Sequence, residues 1–131
     1  MKLLFRVLTI LICLNSTSVK AGCDAETGRK QFNQCIACHS VESGVQMTGP
    51  SLHGLFGRKA GSLDGFVFSP ALETSEVTWS KATLSLFLEQ PMTYIPGSVM
   101  PFGGIRKAEQ RAALTCYLEQ FSESASQENS K

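Results

Sequence analysis

The sequence predicts an all-α fold in which a few short helices are joined by long loops. Helix-start residues followed by proline or glycine stop signals recur along the chain. The last candidate helix has apolar residues at the i, i+3, i+4 and i+7 positions of one helical face. No segment shows the strict alternation of apolar and polar residues that is typical of a half-buried strand. The 131 residues are enough for one domain.

Each predicted helix follows from a local signal. Asp24 is a favourable N-cap for a first helix that runs through Phe32. Serine followed by proline opens a short second helix at 69–73. A third helix follows Trp79, with Thr78 or Ser80 as its cap and Pro91 as its stop. The last predicted helix covers about 107–121, with apolar residues at Leu114, Tyr117, Leu118 and Phe121.

Two long stretches are predicted to be loops. Residues 41–65 are rich in Gly, Ser and Pro, and residues 92–104 contain Pro96, Gly97 and Pro101. A structureless segment as long as the first one is unusual inside a small domain. It makes sense if the loop wraps a large group that is not protein.

The first 21 residues differ from the rest and resemble a secretory signal peptide. Lys2 and Arg6 precede an apolar run, and small residues end at Ala21, after which we expect cleavage. The expected domain is therefore 22–131, ordered over about 24–121 and followed by a polar tail. Two alternatives remain: an uncleaved membrane anchor, or lipidation of Cys23, which Lys20 disfavours.

The charge balance excludes one class of function. The whole chain has 12 basic and 11 acidic residues. The predicted signal removes three basic residues and no acidic one, so the remainder has 9 basic and 11 acidic residues. A nucleic-acid binder needs a clustered basic face, which this composition does not provide.

Cys35, Cys38 and His39 form a C-x-x-C-H haem-attachment motif. Two thiols at this spacing can add to the two vinyl groups of one haem, and the histidine that follows then lies under the iron. The rival interpretations are a redox disulfide, which needs a βαβ setting, and half of a zinc site. Cys23 and Cys116 are not spaced as the second half of a zinc site, although four exported cysteines could also form two disulfides.

The sixth position of a haem iron would take another side chain or stay open. Met100 and His53 are the main candidates, with Met47 and Met92 behind them. A lone methionine is often core filler. Met100 is different because prolines on both sides stiffen its loop and could hold the thioether in place.

Taken together, these motifs resemble class I cytochrome c, both the mitochondrial form and its bacterial cytochrome c2-like relatives. The resemblance spans about residues 24–121 in order. It is carried by Gly28, Phe32, Cys35 through His39, Thr48 through Arg58, Gly65, Phe66, Trp79, and Tyr94 through Met100.

The resemblance implies helices and loops wrapped around one covalent haem c, with the N- and C-terminal helices packed together. Gly28 and Phe32 would pack against Leu114 and Tyr117. His39 and Met100 would ligate the iron, and the Pro50 carbonyl would accept a hydrogen bond from the histidine. Arg58 and Trp79 would hold a haem propionate, and Phe102 would lie at the exposed haem edge. The implied haem-binding residues are Cys35, Cys38, His39, Met100, Pro50, Arg58 and Trp79.

The resemblance also implies a monomeric one-electron carrier and not an enzyme, because both axial positions of the iron would be filled. Its partners would be membrane oxidoreductase complexes or periplasmic enzymes, and with an export signal its location would be the periplasm. The alternatives are a haem subunit bound permanently to one dehydrogenase or oxidase, and, less favoured, a haem peroxidase or gas sensor.

The sequence departs from these relatives in three places. The lysine ring that mitochondrial cytochromes carry around the haem edge is thin, with uncharged residues at Asn33, Gln34, Met47, Met92, Thr93 and Val99. Phe68 stands where many relatives have a propionate-binding tyrosine. Cys23 and Cys116 are additional, and a disulfide between the first and last helices is one expectation beside a lipidated Cys23 or a simply buried Cys116.

Overall fold

The computed structural model describes residues 23–122, so the predicted signal peptide and polar tail lie outside the described residues. Within them the chain is helical, with a single isolated bridge between Lys59 and Thr78 and no named strand. The all-α prediction is confirmed. The helices are α1 (Ala25–Phe32), α2 (Pro70–Glu73), α3 (Lys81–Glu89), α4 (Pro91–Tyr94) and α5 (Ala108–Glu119).

Side-chain caps explain where the first and third helices begin. The Asp24 carboxylate accepts a hydrogen bond from the Thr27 N–H at 2.9 Å, which satisfies a backbone donor that a helix leaves unpaired. At α3, Ser80 and Thr83 form a reciprocal capping box. Ser80 is therefore the cap of α3, and the Thr78 carbonyl instead accepts a hydrogen bond from the Thr83 hydroxyl.

The prediction of a loop from residue 92 is wrong over its first turn. Pro91 does end α3, but it also opens α4, because proline has no N–H to lose at a first helical position. The Tyr94 N–H donates to the Gln90 carbonyl at 2.9 Å, and the Ile95 N–H donates to the Pro91 carbonyl at 3.0 Å. The same residue is thus a stop for one helix and a start for the next.

The first and last helices pack directly on each other, as expected. The Phe32 and Tyr117 rings lie 5.4 Å apart between centroids. Gly28 is buried, and a Cβ at that position would overlap the Ala113 carbonyl and lie 2.7 Å from the Tyr117 Cβ. The glycine therefore allows the two helix backbones to approach closely.

We expect Gly28→Ala to lower the free energy of unfolding by about 1–3 kcal/mol, because the added methyl group overpacks a contact with backbone atoms. Denaturant unfolding measures this loss. Gly44→Ala is not a suitable control, since Gly44 has a positive φ of 73°. Gly103→Ala is suitable, because no atom lies within 4 Å of its added Cβ. Equal stabilities of the Gly28 and Gly103 variants would argue against the close approach.

Helix α5 is buried on more than one face. The sequence indicated one apolar stripe, but Tyr117 and Phe121 are only half-buried, while Arg111, Thr115 and Cys116 are buried together with Leu114 and Leu118. The reason is that α5 packs against both α1 and α3. A helix held between two neighbours buries small and polar residues that a one-faced pattern does not mark.

Cys23 and Cys116 are joined in a disulfide, with their Cα atoms 5.5 Å apart and a sequence separation of 93. Cys23 immediately precedes the Asp24 cap, so the bond ties the start of α1 to the C-terminal half of α5. A sulfur in this bond is not available to carry a lipid. Among residues 23–122, none of the helices is both long and apolar enough to cross a bilayer.

Candidate haem-binding site

The C-x-x-C-H motif is wound into tight turns directly after α1. The Cys35 N–H donates to the Phe32 carbonyl at 2.7 Å, and the N–H groups of Cys38 and His39 both donate to the Cys35 carbonyl, at 3.0 and 2.8 Å. The backbone of the motif is therefore fixed by α1. Both cysteines are free thiols, Cys35 half-buried and Cys38 exposed.

The Cys35 thiol does not have the property that a redox-active cysteine needs. Burial, followed by the neighbouring Cys38, raises the pKa of the Cys35 thiol to about 11. Thiol–disulfide exchange requires a thiolate, and reactive cysteines have a lowered pKa. The structure also argues against a zinc site at this motif, because Cys23 and Cys116 are bonded to each other and cannot supply a second ligand pair.

The His39 ring is oriented by one backbone carbonyl. Its Nδ1 lies 2.8 Å from the Pro50 oxygen, and because a carbonyl can only accept, Nδ1 is assigned as the protonated nitrogen. That tautomer leaves the Nε2 lone pair free to bind a metal. Burial lowers the pKa of His39, and the hydrogen bond to Pro50 opposes this only in part, so the neutral ring is favoured.

Gly49 completes the support for this ring, and the sequence interpretation gave it no role. Its N–H donates to the Cys38 carbonyl at 2.8 Å, which brings the 48–50 segment against the motif. A Cβ at Gly49 would lie 2.7 Å from the His39 Nδ1. The imidazole therefore packs against bare backbone. A glycine directly before the histidine-orienting proline is the sequence signal that could have identified it.

Arg58 and Trp79, for which the resemblance implies a propionate-binding role, are neighbours through their backbones. The Trp79 backbone N–H donates to the Arg58 carbonyl at 2.9 Å, and the buried indole packs at a steep angle against the Phe87 ring, with 5.1 Å between the ring centroids. The guanidinium donates to the carbonyls of Ser51 and His53 at 3.0 and 3.2 Å.

Burial lowers the pKa of Arg58, and none of the carboxylates in residues 23–122 forms an ion pair with it. A half-buried guanidinium of this kind is well suited to bind a carboxylate that the polypeptide does not itself provide.

Among the four candidates for a sixth ligand, Met100 has the most suitable environment. It is half-buried and packs against the hydrophobic core, and the Phe102 N–H donates to its carbonyl at 2.7 Å. Met47 and Met92 are exposed. The Nδ1 of His53 lies 3.2 Å from the Val41 carbonyl, so this ring has a structural contact within its own loop.

The residues fit a covalent haem. Two free thiols, a neutral imidazole with one nitrogen available and a half-buried thioether are the donor set that such a group requires. A half-buried guanidinium is available for a propionate. Partly buried apolar residues at the core edge supply an apolar surface, and they include Leu52, Phe56, Leu72, Tyr94, Met100 and Phe102.

Comparisons with known proteins identify the family of the chain. The family model described as "Cytochrome c" matches residues 25–122. The chain is 46% identical to "Cytochrome c type-1" of Ascaris suum over 98 residues, which cover 74% of this chain and 88% of that protein. It is 34% identical to "Cytochrome c2" of Blastochloris viridis over 116 residues, covering 88% of this chain and 91% of that protein.

A solved structure gives the same result at the level of the fold. "Cytochrome cH from Methylobacterium extorquens" superposes with a TM-score of 0.71 at 40% sequence identity, covering 74% of this chain and 98% of that one. The family resemblance inferred from the sequence motifs is confirmed.

Proposed function

The chain belongs to the cytochrome c family, whose members carry electrons on one covalent haem c and are not enzymes, and from this premise we propose an exported monohaem carrier with His39 and Met100 as the axial ligands of its iron. The haem is bound through the cysteine pair of the motif, Cys35 and Cys38. Pro50, Arg58 and Trp79 complete the proposed haem-binding set.

The observation that carries the ligand assignment is the hydrogen bond between the His39 Nδ1 and the Pro50 carbonyl. It fixes the ring orientation and the tautomer that a metal-binding histidine needs, and it raises the basicity of the free nitrogen. Met100 is supported by its packing against the core within a proline-flanked loop.

When bound, the haem supplies a centre that takes up and releases one electron. The residues of the chain set how easily this happens. A thioether from Met100 favours ferrous iron and raises the reduction potential. His39, oriented by Pro50, keeps its position because Gly49 packs against it. The residue set leaves no open coordination position for a substrate.

We propose that residues 1–21 direct export to the periplasm and that the working protein begins at Gly22. The charged and then apolar leader supports this proposal. The Cys23–Cys116 disulfide supports it as well, because structural disulfides persist in oxidising compartments. The N-terminal sequence of protein purified from its native source tests it, and a chain that still begins at Met1 would contradict the cleavage.

One experiment tests the function as a whole. The exported protein should carry one haem that stays attached after denaturation, and it should titrate reversibly as a one-electron couple. Cys35→Ala combined with Cys38→Ala should abolish covalent attachment. Loss of the haem from the unmodified protein on denaturation would contradict the proposal.

A second candidate function is a cytochrome subunit bound permanently to one dehydrogenase or oxidase. The observation that favours it is the apolar exposed surface near the site residues, where Ile36, Met47 and Val99 are 51%, 44% and 79% exposed. Gel filtration of a native extract separates the two cases, because a free carrier elutes as a small monomer and a permanent subunit elutes with its enzyme.

We expect electron transfer with the natural partner to depend only mildly on salt. Exposed charges steer encounter and are screened by added ions, but the exposed surface here includes two large apolar residues, Ile36 within the motif and Val99 beside Met100. Stopped-flow rates between low and moderate ionic strength should change by less than about threefold. Val99→Lys is the matched variant and should steepen the dependence if the partner is acidic. A steep fall for the unmodified protein would refute the expectation.

A further inference from the structure

Among residues 23–122, Arg111 on α5 is the most fully buried arginine, with 7% of its surface exposed. Sequence patterning gave it no role. A guanidinium is costly to bury unless its donors are paired. Here the Nη1 donates to the carbonyls of Ile105 and Arg106 at 2.7 and 2.9 Å, and the Nε donates to the Ser85 hydroxyl at 3.1 Å.

The remaining contact is an ion pair between the Arg111 Nη2 and the Glu89 Oε2 at 3.2 Å. One side chain from α5 therefore binds two residues of α3 and the backbone at 105–106. Surface ion pairs contribute little to the stability of a protein, but the Arg111 side chain of this pair is only 9% exposed. Charge-assisted hydrogen bonds in such buried sites are stronger than hydrogen bonds between neutral groups.

The segment that Arg111 holds is the end of the loop that carries Met100. The Ile105 N–H also donates to the Leu88 carbonyl at 2.7 Å. Gly104 has a φ of 90°, and a Cβ there would overlap the Glu89 carbonyl, so the backbone lies directly against the end of α3. Residues 104–106 are therefore held to α3 both by their own backbone contacts and by the Arg111 side chain.

The other end of the loop is held independently. Ser98 is fully buried, and its N–H donates to the Ile95 carbonyl at 3.0 Å. Between the two anchored ends lie only residues 99–103, with Met100 among them and Val99 79% exposed. Without Arg111, residues 105–106 would be held to α3 mainly by the hydrogen bond from the Ile105 N–H to the Leu88 carbonyl, and the more weakly held chain would extend to the start of α5 at Ala108. A longer free loop holds a side chain in one position less well.

We propose that Arg111 is a positioning residue for Met100: by clamping the 105–106 backbone to α3 and α5, it keeps the Met100 thioether at the haem site and keeps small external ligands out. The proposal rests on the proposed function, in which Met100 is the axial ligand. Arg111 acts through the loop backbone and touches no reacting atom.

The test uses imidazole as a probe ligand added to the oxidised, haem-loaded protein. Imidazole can bind only when Met100 leaves, so its apparent affinity reports how often the loop opens. We expect Arg111→Lys, which keeps the charge but loses the planar set of donors, to bind imidazole at least about tenfold more tightly than the unmodified protein. Amide hydrogen exchange at Ile105 should accelerate by a similar factor.

Asp24→Ala is the control for general destabilisation. It removes the α1 cap and lowers stability, yet Asp24 has no hydrogen bond to the loop, so imidazole affinity should stay within about twofold. If Arg111→Lys does not fold, Glu89→Gln removes the negative charge opposite the guanidinium and Ser85→Ala removes its hydroxyl partner, and each should raise imidazole affinity by a few fold.

The outcomes separate the two proposals. If the unmodified protein binds imidazole as tightly as Met100→Ala does, Met100 is not the ligand, and both the ligand assignment and the role of Arg111 fail. If the unmodified protein resists imidazole through Met100 but the variants of Arg111, Glu89 and Ser85 bind it no more tightly than the Asp24 control, only the role of Arg111 is overturned.

Discussion

Removing the Cys23–Cys116 disulfide should lower the free energy of unfolding by about 4 kcal/mol, which corresponds to a fall in Tm of about 20 °C for a domain of this size. The bond closes a loop of 93 residues, so it removes much of the conformational freedom of the unfolded chain. The variant to measure is Cys23→Ser combined with Cys116→Ala, since Cys116 is buried and alanine leaves no unpaired hydroxyl there.

The folded structure should survive this change. The α1–α5 pair keeps the Gly28 close approach and the contact between Phe32 and Tyr117, neither of which involves a cysteine. The haem spectrum and reduction potential should therefore stay as in the unmodified protein. A matched test is made with the haem iron fully reduced beforehand, so that an added thiol reductant acts only on the disulfide; it should lower the Tm of the unmodified protein and leave that of the double variant unchanged. If the reductant leaves the Tm of the unmodified protein unchanged, the disulfide does not form.

Met100→Ala should lower the reduction potential by on the order of 0.2 V, a substantial part of the ~0.8 V range that axial ligands span. The reason is that loss of a thioether removes the donor that favours ferrous iron, and water or another nucleophile can then bind. Spectroelectrochemical titration measures the shift.

Met92→Ala is the matched control for this variant. Met92 lies at the start of the same part of the chain, but it is 51% exposed, and its sulfur accepts a hydrogen bond from the Ser98 hydroxyl at 3.6 Å. Its replacement should leave the potential within a few hundredths of a volt, on the order of 1 kcal/mol or less. A large shift in the reduction potential of Met92→Ala, with none in that of Met100→Ala, would identify Met92 as the axial ligand in place of Met100.

Much of the proposed site could be predicted because its residues lie close together in the sequence, at a spacing that is specific to haem attachment. The two thiols and the histidine are within five consecutive residues, and the structure shows that backbone turns after α1 fix them as a unit. The capped starts of α1 and α3 were equally local, since serine and aspartate side chains bond to N–H groups only three residues away.

The features that the sequence did not reveal depend on contacts distant in the chain. Arg111 gains its role from Ser85 and Glu89 on α3, 26 positions away in the case of Ser85. The burial of α5 on two faces needs both α1 and α3 in place, so a one-faced pattern understated it. The α4 turn was missed for a different reason, because a proline was interpreted as a stop when it also starts a helix.

The most direct test of the central claim, a haem held between His39 and Met100, is the near-infrared absorption of the oxidised protein. Sulfur ligation from methionine to ferric haem gives a weak band in this region. We expect the band in the unmodified protein and in Met92→Ala, and we expect it to disappear in Met100→Ala. Its absence from the unmodified protein, or its persistence in Met100→Ala, would show that Met100 does not ligate the iron.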